Sequence, residues 1–247
     1  MLVERGLGES RMIVCEALGG ERESLRRTTA ADFDLKGVAA LNTIGLEIVA
    51  SPSSAVLSLA PGLDDTLFEN DGQLTKREVR AVTISALAPQ QGELLWDIGL
   101  GSGSIAIEWL LRHPSLRAIG FEADPTRAGH AMRNAAALGA PDLEIVQGRA
   151  PETFAGQPAP DVVFVGGGLS NPGLFEATWA ALKPGGRIVA NGVSLETEAR
   201  LIEYFGRHGG ELVRLEVSRA GKAGSGSGNV FVWRPAAPIV QWRARKP

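Results

Sequence analysis

Between residues 75 and 207, strand-length apolar runs alternate with segments of helical period. Strand signals fall at 93–98, 116–121, 143–147, 161–165 and 187–190. Helical signals fall at 75–87, 104–111, 125–138, 172–182 and 195–207. Such alternation leaves few solutions. Each helix must cross between parallel strands through a right-handed connection, so the expected fold is α/β with a mainly parallel sheet. Thr75 and Glu78 have the spacing of a capping box at the start of the first helix. Two further strand candidates, 211–219 and 229–234, follow the last helix directly and predict a terminal antiparallel pair. The Gly/Ser run 224–228 between them reads as a lid or as the link of a long hairpin. Residues 236–247, which carry prolines and arginines, read as an extended tail.

The first strand of the set runs into Trp96-Asp97-Ile98-Gly99-Leu100-Gly101-Ser102-Gly103-Ser104. Glycines on alternate positions let the backbone turn sharply and approach a ligand, because no Cβ intervenes. The helix that follows aims its free N–H groups at whatever sits on the loop. In open α/β sheets ligands bind there, beyond the carboxyl ends of the strands. Two ligand classes compete for the loop. Gly101-x-Gly103-x-x-Ala106 satisfies a permissive dinucleotide fingerprint, whereas Gly99-x-Gly101 fails the strict one because residue 104 is Ser. Asp97 ahead of the loop, the Lys183-Pro184-Gly185-Gly186 turn and the terminal strand pair favour S-adenosyl-L-methionine, which carries cationic groups and a ribose. The expectation is a Rossmann-like class I S-adenosylmethionine-dependent methyltransferase, with Asp97, Gly99, Leu100, Gly101, Ser102 and Gly103 as the cradle.

The next strand ends extend the site in order. The second ends in Phe121-Glu122-Ala123-Asp124, about 20 residues past the glycines, where an acid accepts hydrogen bonds from ribose hydroxyls. Glu122 and the adjoining Ala123 are the candidates, and Asp124 has the alternative role of capping the Pro125 helix. The third ends in Gln147-Gly148-Arg149-Ala150-Pro151; a small residue there lets an adenine lie flat, which nominates Arg149 and Ala150. The fourth runs into Gly166-Gly167-Gly168, leaving room for cofactor at Gly166 and substrate at Gly167 and Gly168.

Residues 1–50 read differently. Apolar runs at 11–18 and 38–50 flank a charged segment with Glu21, Arg22, Glu23, Arg26 and Arg27, giving two strands around a polar connection. Two strands are too few to bury a core alone. Residues 51–73 read as a linker, so 1–50 are expected to be the tail of another domain. Apolar content of 44% and a formal charge of −3 suit a globular protein and argue against a surface made for nucleic acid. Cys15 is the single cysteine, which points to a reducing, cytoplasmic compartment, and no Cys/His grouping has metal-ligand spacing. No apolar run reaches membrane-spanning length.

With those residues in place, the chain resembles the precorrin C5,15-methyltransferase (decarboxylating) family of cobalamin biosynthesis, in its CbiT-like C-terminal module. The specific marks are Leu74-Thr75-Lys76-Arg77-Glu78-Val79-Arg80, Gly148-x-Ala150-Pro151-Glu152, Val165-Gly166-Gly167 and Leu195-Glu196-Thr197. The resemblance covers 74–235. It implies that Thr75, the 99–103 loop, Glu122 and Ala150 contact S-adenosyl-L-methionine. Cys15-Glu16-Ala17-Leu18-Gly19 and Glu21-Arg22-Glu23 resemble the end of a CbiE-like tetrapyrrole methylase domain. The implied reaction is methylation at C15 of a precorrin with decarboxylation of the ring-C acetate, while the partner domain methylates C5. A homotetramer is also implied.

A polycarboxylate substrate calls for cations, and Lys76, Arg77, Arg149, Arg219 and Lys222 are the candidates. Arg219 and Lys222, on the terminal hairpin, are expected to meet its carboxylate arms. His113, His130 and His208 fall on helices or helix ends and read as surface or capping residues. The rival readings are a tRNA-type or other small-molecule methyltransferase, a non-catalytic cofactor-binding or scaffold subunit, and a NAD-dependent oxidoreductase. The first needs a basic stripe with interleaved aromatics, and this chain holds a single Tyr.

Overall fold

The structure, a computed structural model, describes residues 2–52, 54, 56–223 and 230–247. The Gly/Ser run 224–228 and Asn229 lie outside the described residues. The chain divides into two compact units, Met1–Leu57 and Ser58–Pro247.

In the first unit β1 (Arg11–Glu16) pairs antiparallel with both β2 (Ser24–Thr29) and β3 (Asn42–Glu47). The charged segment expected to be a connection is therefore partly strand. Its arginines hide the pattern because one of them is consumed inside the sheet: Arg26 Nε donates to the buried Glu16 carboxylate at 2.8 Å, and Ala39 N–H donates to the other oxygen at 2.7 Å. Opposite charges on paired strands support β structure as well as apolar pairs do.

The second unit is built on a seven-stranded sheet of order β6-β5-β4-β7-β8-β12-β9. The parallel members are β4 (Leu94–Ile98), β5 (Arg117–Glu122), β6 (Glu144–Gln147), β7 (Val162–Val165) and β8 (Arg187–Gly192). β4 and β7 are buried at every residue, the signature of strands covered on both faces. The helices are α1 (Arg77–Leu87), α2 (Ser104–Leu110), α3 (Pro125–Leu138), α4 (Leu174–Ala181) and α5 (Leu195–His208). Asp124 does cap α3, accepting from Thr126 N–H at 2.7 Å and Arg127 N–H at 3.2 Å.

Two expectations change at the C-terminal end. β9 (Glu211–Leu215) lies at the sheet edge, and its antiparallel partner is β12 (Ile239–Arg245), which also pairs antiparallel with β8. Thus part of the segment read as a tail is an inner strand. Val240, Trp242 and Ala244 alternate into the core, and Trp242 Nε1 donates to the Gly209 carbonyl at 2.9 Å. Gln241 and Arg243 on the intervening positions, with Arg245 and nearby prolines, mask that alternation in the sequence. β10 (Ser218–Lys222) and β11 (Phe231–Pro235) form a separate two-stranded sheet instead of joining the large one. The Thr75–Glu78 capping box does not form. Lys76 is the N-cap of α1 and makes no side-chain cap bond, while the Thr75 carbonyl accepts from Arg80.

Candidate active site

The C-terminal ends of β4, β5, β7 and β8 open onto one cleft of about 670 Å³. Its floor is the glycine loop, where Gly99, Leu100, Gly101 and Ser102 line the cleft and Gly103 does not. Gly99 and Gly103 both have φ in the left-handed region, +76° and +78°. A Cβ at Gly99 would stand 3.2 Å from Gly167 N, and one at Gly103 would stand 3.1 Å from the Ala131 Cβ of α3. The two glycines therefore permit close passage of β7's loop on one side and α3 on the other.

Asp97 is 1% exposed. One carboxylate oxygen accepts the Ala106 N–H of α2 at 3.1 Å; the other, Oδ1, is buried without a hydrogen-bond partner. Burial pushes its pKa up to about 8; the Ala106 bond opposes this, and the charge of nearby Glu122 adds to it. An unsatisfied buried carboxylate oxygen at a cleft floor is expensive, and a cationic ammonium or sulfonium group would satisfy it. Glu122 accepts Gly101 N–H at 2.8 Å through one oxygen and Asp124 N–H at 2.9 Å through the other. Each oxygen keeps a second lone pair for a hydroxyl donor. Ala123, Arg149 and Ala150 line the same half of the cleft. These residues fit S-adenosyl-L-methionine: an acid for its cation, an acid for its ribose and a small residue beside its adenine.

Residues 72–76 form a further part of the lining, of which the sequence singled out Thr75 and Lys76. Gly72 and Gln73 were not singled out; their N–H groups donate to Asn70 Oδ1 at 2.9 Å and Asp71 Oδ1 at 3.1 Å, and the stretch just before them is tied to α3. Arg127 Nε donates to Asp71 at 2.8 Å, and the Asn134 amide bonds both the Glu69 backbone and the Ser102 carbonyl. Gly166, Gly167 and Gly168 do line the far end. Sequence reasoning missed Leu174, Asn191, Val193 and Ile239, which with Asn171 complete that end. Ile239 lies in the segment read as a tail. Of the cations nominated for substrate, Lys76 and Arg149 line the cleft, and Arg77, Arg219 and Lys222 do not. Arg219 is already engaged, donating to Glu78 and lying 3.8 Å from Asp65.

Comparison with known proteins agrees with this geometry. The precorrin methyltransferase domain family matches residues 66–246, which carries the domain past the expected boundary at 235. The chain is 51% identical over 242 residues to a precorrin-6Y C(5,15)-methyltransferase [decarboxylating] of Sinorhizobium sp., covering 98% of this chain and 58% of that protein. It is 36% identical over 171 residues to a probable cobalt-precorrin-6B C(15)-methyltransferase (decarboxylating) of Pyrobaculum calidifontis, covering 66% of this chain and 87% of the relative. Among solved structures, the C-terminal domain of precorrin-6Y C5,15-methyltransferase from Rhodobacter capsulatus superposes with a TM-score of 0.71 at 41% identity, covering 77% of this chain and all of that one. The fold is that of the class I S-adenosylmethionine-dependent methyltransferases. The chain belongs to the precorrin methyltransferase family.

Proposed function

We propose that this chain transfers a methyl group from S-adenosyl-L-methionine to C15 of a precorrin and that the ring-C acetate is lost as CO2. The observation that carries the reading is the unpartnered Oδ1 of Asp97 on the floor of the cleft, beside Glu122, within the segment that matches the family. When bound, the cofactor supplies an activated methyl group on a sulfonium. The chain's own part is placement. Asp97 and Glu122 orient the donor, the 99–103 loop approaches it closely, and Phe164 and Leu174 exclude water from the reacting end. Neither step needs a strong base, since a reduced tetrapyrrole offers an electron-rich meso carbon.

Mass spectrometry of the tetrapyrrole after incubation with cofactor tests this. The expected product gains one methyl and loses CO2; a methyl gain alone would limit the reading to transfer, and no gain would overturn it.

Three further parts of the reading concern the whole protein. Residues 1–50 belong to a CbiE-like domain that methylates C5, a reading supported by β3, whose Ile44 and Leu46 are exposed. The compartment is cytoplasmic, in keeping with a lone Cys15; no described helix is long and apolar enough to cross a membrane. The assembly is a homotetramer, supported by the exposed Phe231, Val232 and Trp233 of β11. Light scattering should return four times the chain mass, and Trp233→Glu should lower it.

A further inference from the structure

The cleft is chemically divided. Its charged lining residues, Lys76, Asp97, Glu122, Arg127 and Arg149, belong to the 72–76 wall, to β4 and β5, to α3 and to the loop after β6. At the β7, β8 and β12 end every described lining residue is uncharged: Phe164, Leu174, Val193 and Ile239 are apolar, beside Asn171 and Asn191. With Glu122 and Ala150 placing the nucleoside over β5 and β6, the uncharged end is where an acceptor meets the methyl group.

Asn191, at the end of β8, is the constrained polar group there. It is 9% exposed and is locked by two buried partners. Its Nδ2 donates to Thr83 Oγ1 of α1 at 3.0 Å, and its Oδ1 accepts from Gln241 Nε2 of β12 at 2.9 Å. Gln241 Nε2 also donates to Thr83 Oγ1 at 3.1 Å, so the three side chains close a ring. A carboxamide has two N–H donors and two acceptor sites; this ring consumes one of each. One N–H remains for a ligand, on a side chain that cannot rotate without breaking buried bonds.

We propose that Asn191 is a catalytic residue for the decarboxylation, holding the departing acetate carboxylate through that N–H. This rests on the function proposed above. A carboxylate paired with Arg or Lys is stabilised in the ground state and resists leaving. A neutral donor in apolar surroundings orients it while withholding that stabilisation. In the step itself the bond between the carboxyl carbon and its methylene breaks. The electron pair enters the conjugated system, cancelling the positive charge brought by the methyl group, and CO2 departs. The exocyclic methylene becomes methyl by taking a proton from water, and the macrocycle returns one to water. The carboxylates that stay on the substrate are matched to Lys76 and Arg149, which form no ion pair among the described residues.

The test is the product ratio. Asn191→Ala should leave cofactor affinity, read by calorimetry, at the wild-type value and lower CO2 released per methyl transferred about tenfold or more, so that methylated, undecarboxylated tetrapyrrole accumulates. Thr83→Val keeps the buried volume, removes one of the two bonds that lock the carboxamide and should move the ratio in the same direction by less. An unchanged ratio in both variants overturns the proposal, as does an equal loss of methylation and CO2. A wild-type protein that transfers no methyl to the tetrapyrrole overturns the underlying reading instead, and the two failures are thereby separate.

Discussion

Arg80→Ala is expected to cost about 3–5 kcal/mol of folding stability, measured by urea denaturation. Both members of the Arg80–Glu108 pair are fully buried, and Arg80 Nε donates to Glu108 Oε1 at 2.5 Å. The guanidinium also donates to the carbonyls of Thr75 and Leu63, bonds Asp65 at 3.2 Å and lies 4.7 Å over the Phe68 ring. Glu108 accepts Gly62 N–H at 2.7 Å and Leu63 N–H at 2.9 Å. Truncating the arginine thus strands a buried carboxylate, orphans two carbonyls and opens a cavity together. A buried ion pair is weak evidence of net stability, since its desolvation offsets much of its attraction, but breaking one is costly. Arg80→Met combined with Glu108→Gln should recover only part of the loss, because the buried charge is removed but the single carboxamide oxygen replaces two that each accept one N–H group. Cofactor affinity should still fall in the double variant, because nothing then anchors the Thr75 carbonyl and the cleft wall it belongs to.

Arg80 also shows where the sequence is legible and where it stops. The strand and helix periods over 94–207 reflect local alternation, and the glycine loop with Asp97 and Glu122 sits at strand ends that topology makes adjacent. Those parts are readable because neighbouring residues impose them. Leu74–Arg80 stands out as a motif, yet its chemistry lies in partners at 63, 65 and 108, so Thr75 and Glu78 imitate a capping box they do not make. β2 and β12 are obscured for a related reason. β12 places Arg243 and Arg245 on positions that alternate with buried residues, and in β2 Arg26 is matched by a buried acid on the neighbouring strand. Asn191 carries no local signal at all, because the ring that fixes it joins α1, β8 and β12.

Cofactor binding is expected to release close to one proton at neutral pH, and Asp97 is its source. The carboxyl titrates near 8 in the cofactor-free fold against 3.8 for an ordinary aspartate, raised first by burial and further by Glu122 on β5. Its contribution to stability is full below about pH 4, declines as pH rises toward 8 and is absent above. A cation beside Oδ1 reverses the preference and draws the proton off. About 0.9 proton should leave per cofactor bound at pH 7 and about 0.1 at pH 9; calorimetry in phosphate and in Tris measures this as a difference in heat. Affinity should rise with pH and level off above 8. Asp97→Asn should abolish both the proton release and that rise, and weaken binding by about tenfold to a hundredfold, the worth of a charge-assisted contact. The same variant should melt higher than wild type at pH 9 without cofactor, since it buries no charge. A wild-type heat that is identical in the two buffers would place the cation elsewhere in the cleft, with Glu122 as the remaining buried acid to receive it.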